Sequence, residues 1–285
     1  MTETLGEKDI IRPEWDAPVS IRTLVTTRHG GNSKAPFEHF NIAEHVGDNS
    51  LDVKKNRQIL ANLLPSEPVW LNQIHSNKIM DASTTMPGSD ADGSYTTRAN
   101  IVSVVMTADC LPVLLCTRQG NAVAAIHAGW RGLAAGILEQ GVKKLLQASQ
   151  CAPEDLLIWL GPAIGPRAFE VGEEVRQTFL KQELRQESNQ KLRQDINQEQ
   201  DPEPQSSSAK NLQLQQALRQ CFTPSENKNK WFADIYQLAR VRLSLLGVEN
   251  ISGGNYCTYN EQETFYSYRR DGKTGRMASL IWIEA

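Results

Sequence analysis

The sequence predicts an α+β fold in which mixed β-sheets form a central core flanked by helices, as one domain over 1–285 with a polar insertion at 181–230. Three observations carry this. Short apolar runs, Ile101–Met106 and Val123–Ile126, rich in β-branched residues and too short for independent helices, read as buried strands, as do Leu156–Leu160 and Ala278–Ile283. Between them lie segments of helical period at Asp52–Leu64, Leu133–Ala148 and Phe232–Leu246. Finally, 181–230 is rich in Gln, Glu, Asn and Ser, with Asp201-Pro202-Glu203-Pro204 and Ser206-Ser207-Ser208 in its middle. Such a stretch buries too little apolar surface to offset its ordering entropy, so it is expected to be flexible.

In chain order, Pro13 and Pro18 make the first twenty residues an extended lead-in, and Ile21–Thr27 reads as a strand closed by the turn Arg28-His29-Gly30-Gly31. Val53, Asn56, Ile59, Leu60 and Leu63 share one helical face, which Pro65 ends. Pro87–Thr97 is acidic and turn-rich; with the other positions of a calcium loop missing, Asp90 and Asp92 read as solvated turn residues. After Gly129 and Gly132, which allow close backbone approach, Leu133–Ala148 reads as a helix. Arg131 either braces that turn or adds charge to an anion-binding corner. Two Gly-Pro pairs make Gly161–Pro166 a rigid loop. Leu212, Leu214 and Leu218 mark a short amphipathic helix on the return from the polar stretch. In Phe232–Leu246, Arg240 and Arg242 are expected outward, and Gly247 caps the end. Phe265–Gly272 reads as a strand entering an Asp-Gly turn.

Composition narrows the function classes. The formal net charge is −3 and no Lys/Arg block could track a phosphate backbone, so nucleic acid is not an expected partner. No apolar stretch approaches the ~20 residues of a membrane helix, and the start lacks a signal-peptide pattern, so no membrane partner and a cytoplasmic location are expected. Five cysteines at irregular spacing fit reduced thiols. There is no GxGxxG signature for a dinucleotide.

Three apolar runs end on chemistry: one before His75, one before Thr107-Ala108-Asp109-Cys110, one at His127. Residue type alone favours ordinary buried or hydrogen-bonded side chains, and separations of 34 and 16 residues match no local zinc signature. Their shared position at the ends of apolar runs is what draws them together. A thiolate and two imidazoles suit zinc, and three protein ligands leave a fourth position for water or substrate.

At NQIHSN, ADGSYT, TADCLPVLL, HAGWRG, GPAIGP and FYSYRRDGKTGRMA the chain closely resembles the YfiH-like laccase-domain family, also known as multicopper polyphenol oxidases. The motifs run from about Thr26 to the C-terminus. The resemblance implies a central β-layer covered by helices, zinc on His75, Cys110 and His127, and a rim to which Asn41 and Arg57 belong. It implies phosphorolysis of adenosine, inosine, guanosine or methylthioadenosine, with adenosine deamination. Phosphorolysis needs cations for phosphate and a proton donor for the leaving base. Arg57, Arg131 and Arg269 are candidates for the first role and Asp109 for the second, although Asp109 equally suits a partner orienting a metal-bound histidine. Three alternatives stand beside this. Copper-dependent oxidation of phenols would use the same His₂Cys set, with only His29, His39 and His45 left for further coppers. A cysteine amidase editing peptidoglycan precursors would use Cys110 as nucleophile and His127 as base. The last is a non-enzymatic nucleotide-binding module.

Overall fold

The computed structural model describes residues 5–181 and 205–285, which cluster into two compact units, Met1–Gly165 with Arg242–Ala285, and Pro166–Val241.

The larger unit is built on two sheets. Strands β1 (Ile10–Ile11), β2 (Ile21–Thr26), β13 (Met277–Ile283) and β5 (Ser103–Thr107) form an antiparallel four-stranded sheet in the order β1-β2-β13-β5. The second sheet runs β12-β8-β6-β7-β4-β3, from β12 (Asn250–Gly253), β8 (Leu156–Leu160), β6 (Leu111–Thr117), β7 (Val123–Ala128), β4 (Gly93–Thr96) and β3 (Ile79–Asp81). It is mixed, as predicted: β12 with β8 and β3 with β4 are parallel, and the inner pairs are antiparallel.

The two sheets pack face to face, and the alternation of β13 shows how. Ile281 and Ile283 join Val25 and Val105 against Leu114, Cys116, Val123, Ala125 and Trp159 of the six-stranded sheet. Ala278, Leu280 and Trp282 face the other way, into a core with Leu24, Val104, Met106 and Leu60. Leu60 comes from helix α1 (Ser50–Ala61), whose N-cap Asn49 accepts from the amides of Leu51 and Asp52. Helix α3 (Ile137–Ser149) covers the outer face of the six-stranded sheet, against β7, β4 and β3, with Ile137, Leu138, Val142 and Leu145 buried. Both strand faces are thus apolar, which is why β6, β7 and β13 are buried at every position.

The smaller unit contains β9 (Glu170–Gly172), a helix α4 at 173–181, α5 (Gln205–Gln220), β10 (Phe222–Pro224) and β11 (Lys230–Ala233), with sheet order β10-β11-β9. Phe179 and Phe222 pack with ring centroids 6.0 Å apart. The expected return helix is present as α5, with Leu218 buried. The predicted flexibility of the polar stretch falls in part on 182–204, outside the described residues.

Leu111–Thr117 is a further strand: β5 pairs with β13, and β7 with β6 and β4. Three local expectations are corrected. The single helix after Gly132 is two, α2 (Trp130–Ala134) and α3, split at Gly136 with φ 88°. Phe265–Gly272 is no strand; Tyr268–Asp271 is a helical turn, α7, because Ser267 caps it and the Arg270 guanidinium gathers the carbonyls of Thr258, Tyr259 and Phe265. Arg242, on helix α6 (Ile235–Ser244), is buried and pairs with Glu139 at 2.5 Å instead of facing water.

Among the described residues no helix is long and apolar enough to cross a membrane. Leu114 is fully buried between the sheets. Leu114→Ala is expected to destabilise the protein by about 3 kcal/mol in denaturant unfolding, with m unchanged.

Candidate metal centre

The pairing of β6 with β7 builds the centre. Leu111 lies opposite Ala128 and Pro112 opposite His127, so Cys110, one residue before β6, stands level with Gly129 and next to His127. Asp109 precedes it with φ 92°, at the point where the chain leaves β5 in one sheet for β6 in the other. His75 arrives on a loop, itself at φ 59°. Gln73 anchors that loop to β5: its amide donates to the Met106 carbonyl at 2.8 Å and its oxygen accepts from the Met106 amide at 2.7 Å.

Asp92 ties these pieces together. Its carbonyl accepts from the His127 amide at 2.7 Å, because Gly93 beside it pairs with Ile126. Its carboxylate, buried at 0 % exposure, meets His127 Nδ1 at 2.9 Å. The same carboxylate accepts from the backbone amides of His75 at 2.9 Å and Ser76 at 2.5 Å and from Ser76 Oγ at 2.7 Å. With Nδ1 held there, His127 turns Nε2 toward the thiol. Asp92 is therefore no solvated turn residue: it is the orienting carboxylate that Asp109 was a candidate to be.

The donor atoms of His75, Cys110 and His127 all lie within 4.8 Å of one another, and Cys110 Sγ is 3.9 Å from His75 Nε2. The imidazoles meet edge to face, centroids 4.8 Å apart. His127 is buried, Cys110 half-buried and His75 exposed, so one side of the cluster is open. Burial pushes the Cys110 thiol up, but charge on His127 and hydrogen bonds from both imidazoles overcome it and bring it to about 6. Burial likewise depresses His127, and the Cys110 thiolate with Asp92 outweighs this and raises it. Asp92 itself is held low: burial opposes ionisation, and the hydrogen bonds from His127 and Ser76 exceed it.

These residues fit a metal ion. A Cβ on Gly129 would lie 3.0 Å from both Cys110 Sγ and His75 Cδ2 and 3.5 Å from His127 Nε2, so the absent side chain leaves the three donors a common space. Among the described residues no other group of three His, Cys, Asp or Glu donors is close enough to share an ion. His29 and His39 line a polar cleft of about 720 Å³ that holds none of the triad.

The remaining predicted residues divide. Asn41 is buried, donating to Asp48 and the Ala43 carbonyl and accepting from the amides of Ala43 and Arg276, so it braces loops. Arg57 lies over the Trp70 ring, donates to the Ile42 carbonyl and pairs with Glu44. Asp109 accepts from Thr258 Oγ1 and the Arg269 amide, both at 2.6 Å, and neither oxygen reaches a histidine. Its oxygens are thus occupied as acceptors, against the proton-donor role. Arg131 is exposed over Trp130, two residues from Gly129, and Arg269 is exposed with its backbone on Asp109. Sequence reasoning missed Asp92 and Gln73 as residues that position the cluster. The only signal was that both lie inside the quoted motifs.

The profile of the multi-copper polyphenol oxidoreductase laccase family matches residues 22–203 and 202–284. The chain belongs to this YfiH-type laccase-like family. A purine nucleoside phosphorylase of Haemophilus influenzae is 43% identical over 277 residues, 96% of this chain and 99% of that one. The purine nucleoside phosphorylase YfiH of Escherichia coli K12 is 45% identical, covering 96% and 98%. Among solved structures, NMB0706 of Neisseria meningitidis superposes with a TM-score of 0.78 at 39% identity, over 97% of this chain and 100% of that one. YlmD of Geobacillus stearothermophilus gives 0.80 at 27%, over 100% and 99%. The α+β architecture is thus that of the laccase-like family.

Two outcomes are expected. Asp92→Asn keeps the volume but loses the charge that fixes His127, and should weaken metal affinity about 10- to 100-fold, read by chelator competition. In metal-free protein, alkylation of Cys110 should persist as pH falls toward about 6 and fade below it as the thiolate takes up its proton. Buried Cys116, pushed up to about 12, should stay unmodified, and added metal should protect Cys110.

Proposed function

We propose that this chain is a cytoplasmic, zinc-dependent purine nucleoside phosphorylase. Its substrates on this reading are adenosine, inosine, guanosine and methylthioadenosine, and it also deaminates adenosine. The observation that carries the reading is the full-length similarity, 43% and 45% identity over 96% of the chain, to proteins named purine nucleoside phosphorylase. The converged His75, Cys110 and His127 support it from the chain's own geometry. Zinc suits two imidazoles and a thiolate, and when bound supplies a Lewis acid and, from water, hydroxide near neutral pH.

The chain's residues supply the rest. Asp92 holds His127 in the tautomer that presents Nε2, and Gln73 fixes the loop that presents His75. On this reading Arg131 and Arg269, exposed near Gly129 and Asp109 in the chain, serve the polar groups of the nucleoside; their exposure supports it. Asn41 and Arg57 hold the scaffold behind them.

One observation favours a second reading. The Cys110 thiol sits near 6 beside His127, which is the state of a cysteine nucleophile. For copper oxidation of phenols no comparable observation speaks, because a multicopper centre needs further ligand clusters and the described residues hold one.

Zinc-loaded protein given inosine and phosphate is expected to release hypoxanthine and ribose 1-phosphate, and to release none without phosphate. Adenosine without phosphate is expected to give inosine. Absence of all these products would remove the phosphorylase reading, and an acyl group trapped on Cys110 would put the amidase in its place.

A further inference from the structure

Five arginines of the larger unit are buried or half-buried: Arg28, Arg57, Arg242, Arg270 and Arg276. Four of them have a carboxylate within reach, Glu38 at 3.4 Å, Glu44 at 3.2 Å, Glu139 at 2.5 Å and Asp271 at 2.8 Å respectively. Arg276 has none within 4.0 Å among the described residues. A half-buried guanidinium that no carboxylate neutralises keeps its charge for an anion arriving from solvent.

The register fixes where that place is. Met277 pairs with Thr107 in the antiparallel β13–β5 ladder, so Arg276 stands level with Ala108, at the point where the chain departs for Asp109 and Cys110. Its backbone is pinned. The Arg276 amide donates to Asn41 Oδ1 at 2.9 Å, and a Cβ on Gly275 would come within 2.9 Å of the Tyr266 ring and Asn41 Cβ. Nη1 curls back to donate to the carbonyls of Thr274 and Gly275, both at 2.9 Å. Nε and Nη2 have no protein acceptor among the described residues, and neither belongs to the buried unpaired atoms. One edge of the planar fork is therefore anchored and the other available, beside the Tyr268 ring at 5.8 Å. Electrostatics agree: burial lowers the Arg276 pKa, and the Cys110 and Asp109 charges act on it in the opposite sense. Arg276 in turn helps depress His45, after burial.

We propose that Arg276 is the oxyanion-binding residue of the metal centre and holds the inorganic phosphate that phosphorolysis consumes. This assigns the phosphate to a residue other than Arg57, which is committed to Glu44 and Trp70, and it rests on the phosphorylase reading only for the identity of the anion. A guanidinium fork matches two phosphate oxygens at once, which a lysine cannot do.

The test uses the zinc-loaded full chain and inorganic phosphate, by equilibrium dialysis and in the phosphorolysis assay. Arg276→Gln is expected to weaken phosphate binding, and raise the KM for phosphate, about 10- to 100-fold, with the KM for nucleoside and the metal content unchanged. Arg276→Lys should restore part of the loss. In the unaltered protein, phosphate should protect Arg276 from the arginine reagent phenylglyoxal, read by peptide mass spectrometry, which decides the matter even if the Gln variant fails to fold. Unchanged phosphate binding in Arg276→Gln, no protection by phosphate, or no phosphate binding by the unaltered protein overturns the proposal. The two readings fail separately. Phosphate held by Arg276 without product formation would remove the phosphorylase alone, and phosphorolysis with an unchanged phosphate KM in Arg276→Gln would remove Arg276 alone.

Discussion

A single buried carboxylate organises the centre. Asp92 accepts from His127 Nδ1, from the amides of His75 and Ser76, and from the Ser76 hydroxyl. An ionised group with no exposure is tolerated only when its lone pairs are met, and here four donors meet them. The consequence reaches both histidines. His127 is fixed in tautomer and direction, while the loop carrying His75 is drawn onto the end of β4. Geometry that a metal would otherwise have to impose is present in the chain itself.

The two-sheet architecture explains why the cysteine belongs to this cluster. β5 lies in one sheet and β6 in the other, and Asp109, with φ 92°, is where the chain crosses between them. Crossing there sets Cys110 at the mouth of the β6–β7 pair, opposite the residue that follows β7. Asp109 in turn is held by Thr258 and Arg269, so the C-terminal segment clamps the crossing. Arg276 reaches the same corner through β13. One strained crossing thus collects residues from the middle and the end of the sequence.

Local period made the strand runs and the helix over Ser50–Ala61 legible, and the triad was legible from its place at the ends of apolar runs and from the family motifs around it. What the sequence hid depended on pairing. Nothing local says that β5 pairs with β13, or that Leu111–Thr117 is a strand of the other sheet. Asp92 looked like a turn acid because Ser89, Asp90 and Gly93 surround it; only the β4–β7 register, which sets it against His127, takes it out of water. Arg242 looked outward by helical period, and its partner Glu139 lies 103 residues away. The alternation of Phe265 to Arg270 lost to a cap at Ser267 and to three carbonyls gathered by one arginine. Tertiary hydrogen bonding overrode local pattern in each case.

Cysteine nucleophile and metal ligand make overlapping demands, since both call for a thiolate beside an imidazole oriented by a carboxylate. The pair Cys110 and His127 satisfies either. His75 separates them. Thiol chemistry needs one base, and His75, edge-on to His127 at 4.8 Å, adds to that pair only a further hydrogen bond to the thiolate. Yet the chain holds His75 at φ 59°, a conformation costing of order 1 kcal/mol for a residue with a side chain, and anchors its loop with both Asp92 and Gln73. Gly129 then keeps clear the space into which all three donors point. Strain directed at placing a third donor, together with a cleared volume between the three, matches what a shared ion demands, whereas a thiolate–imidazole pair calls for neither.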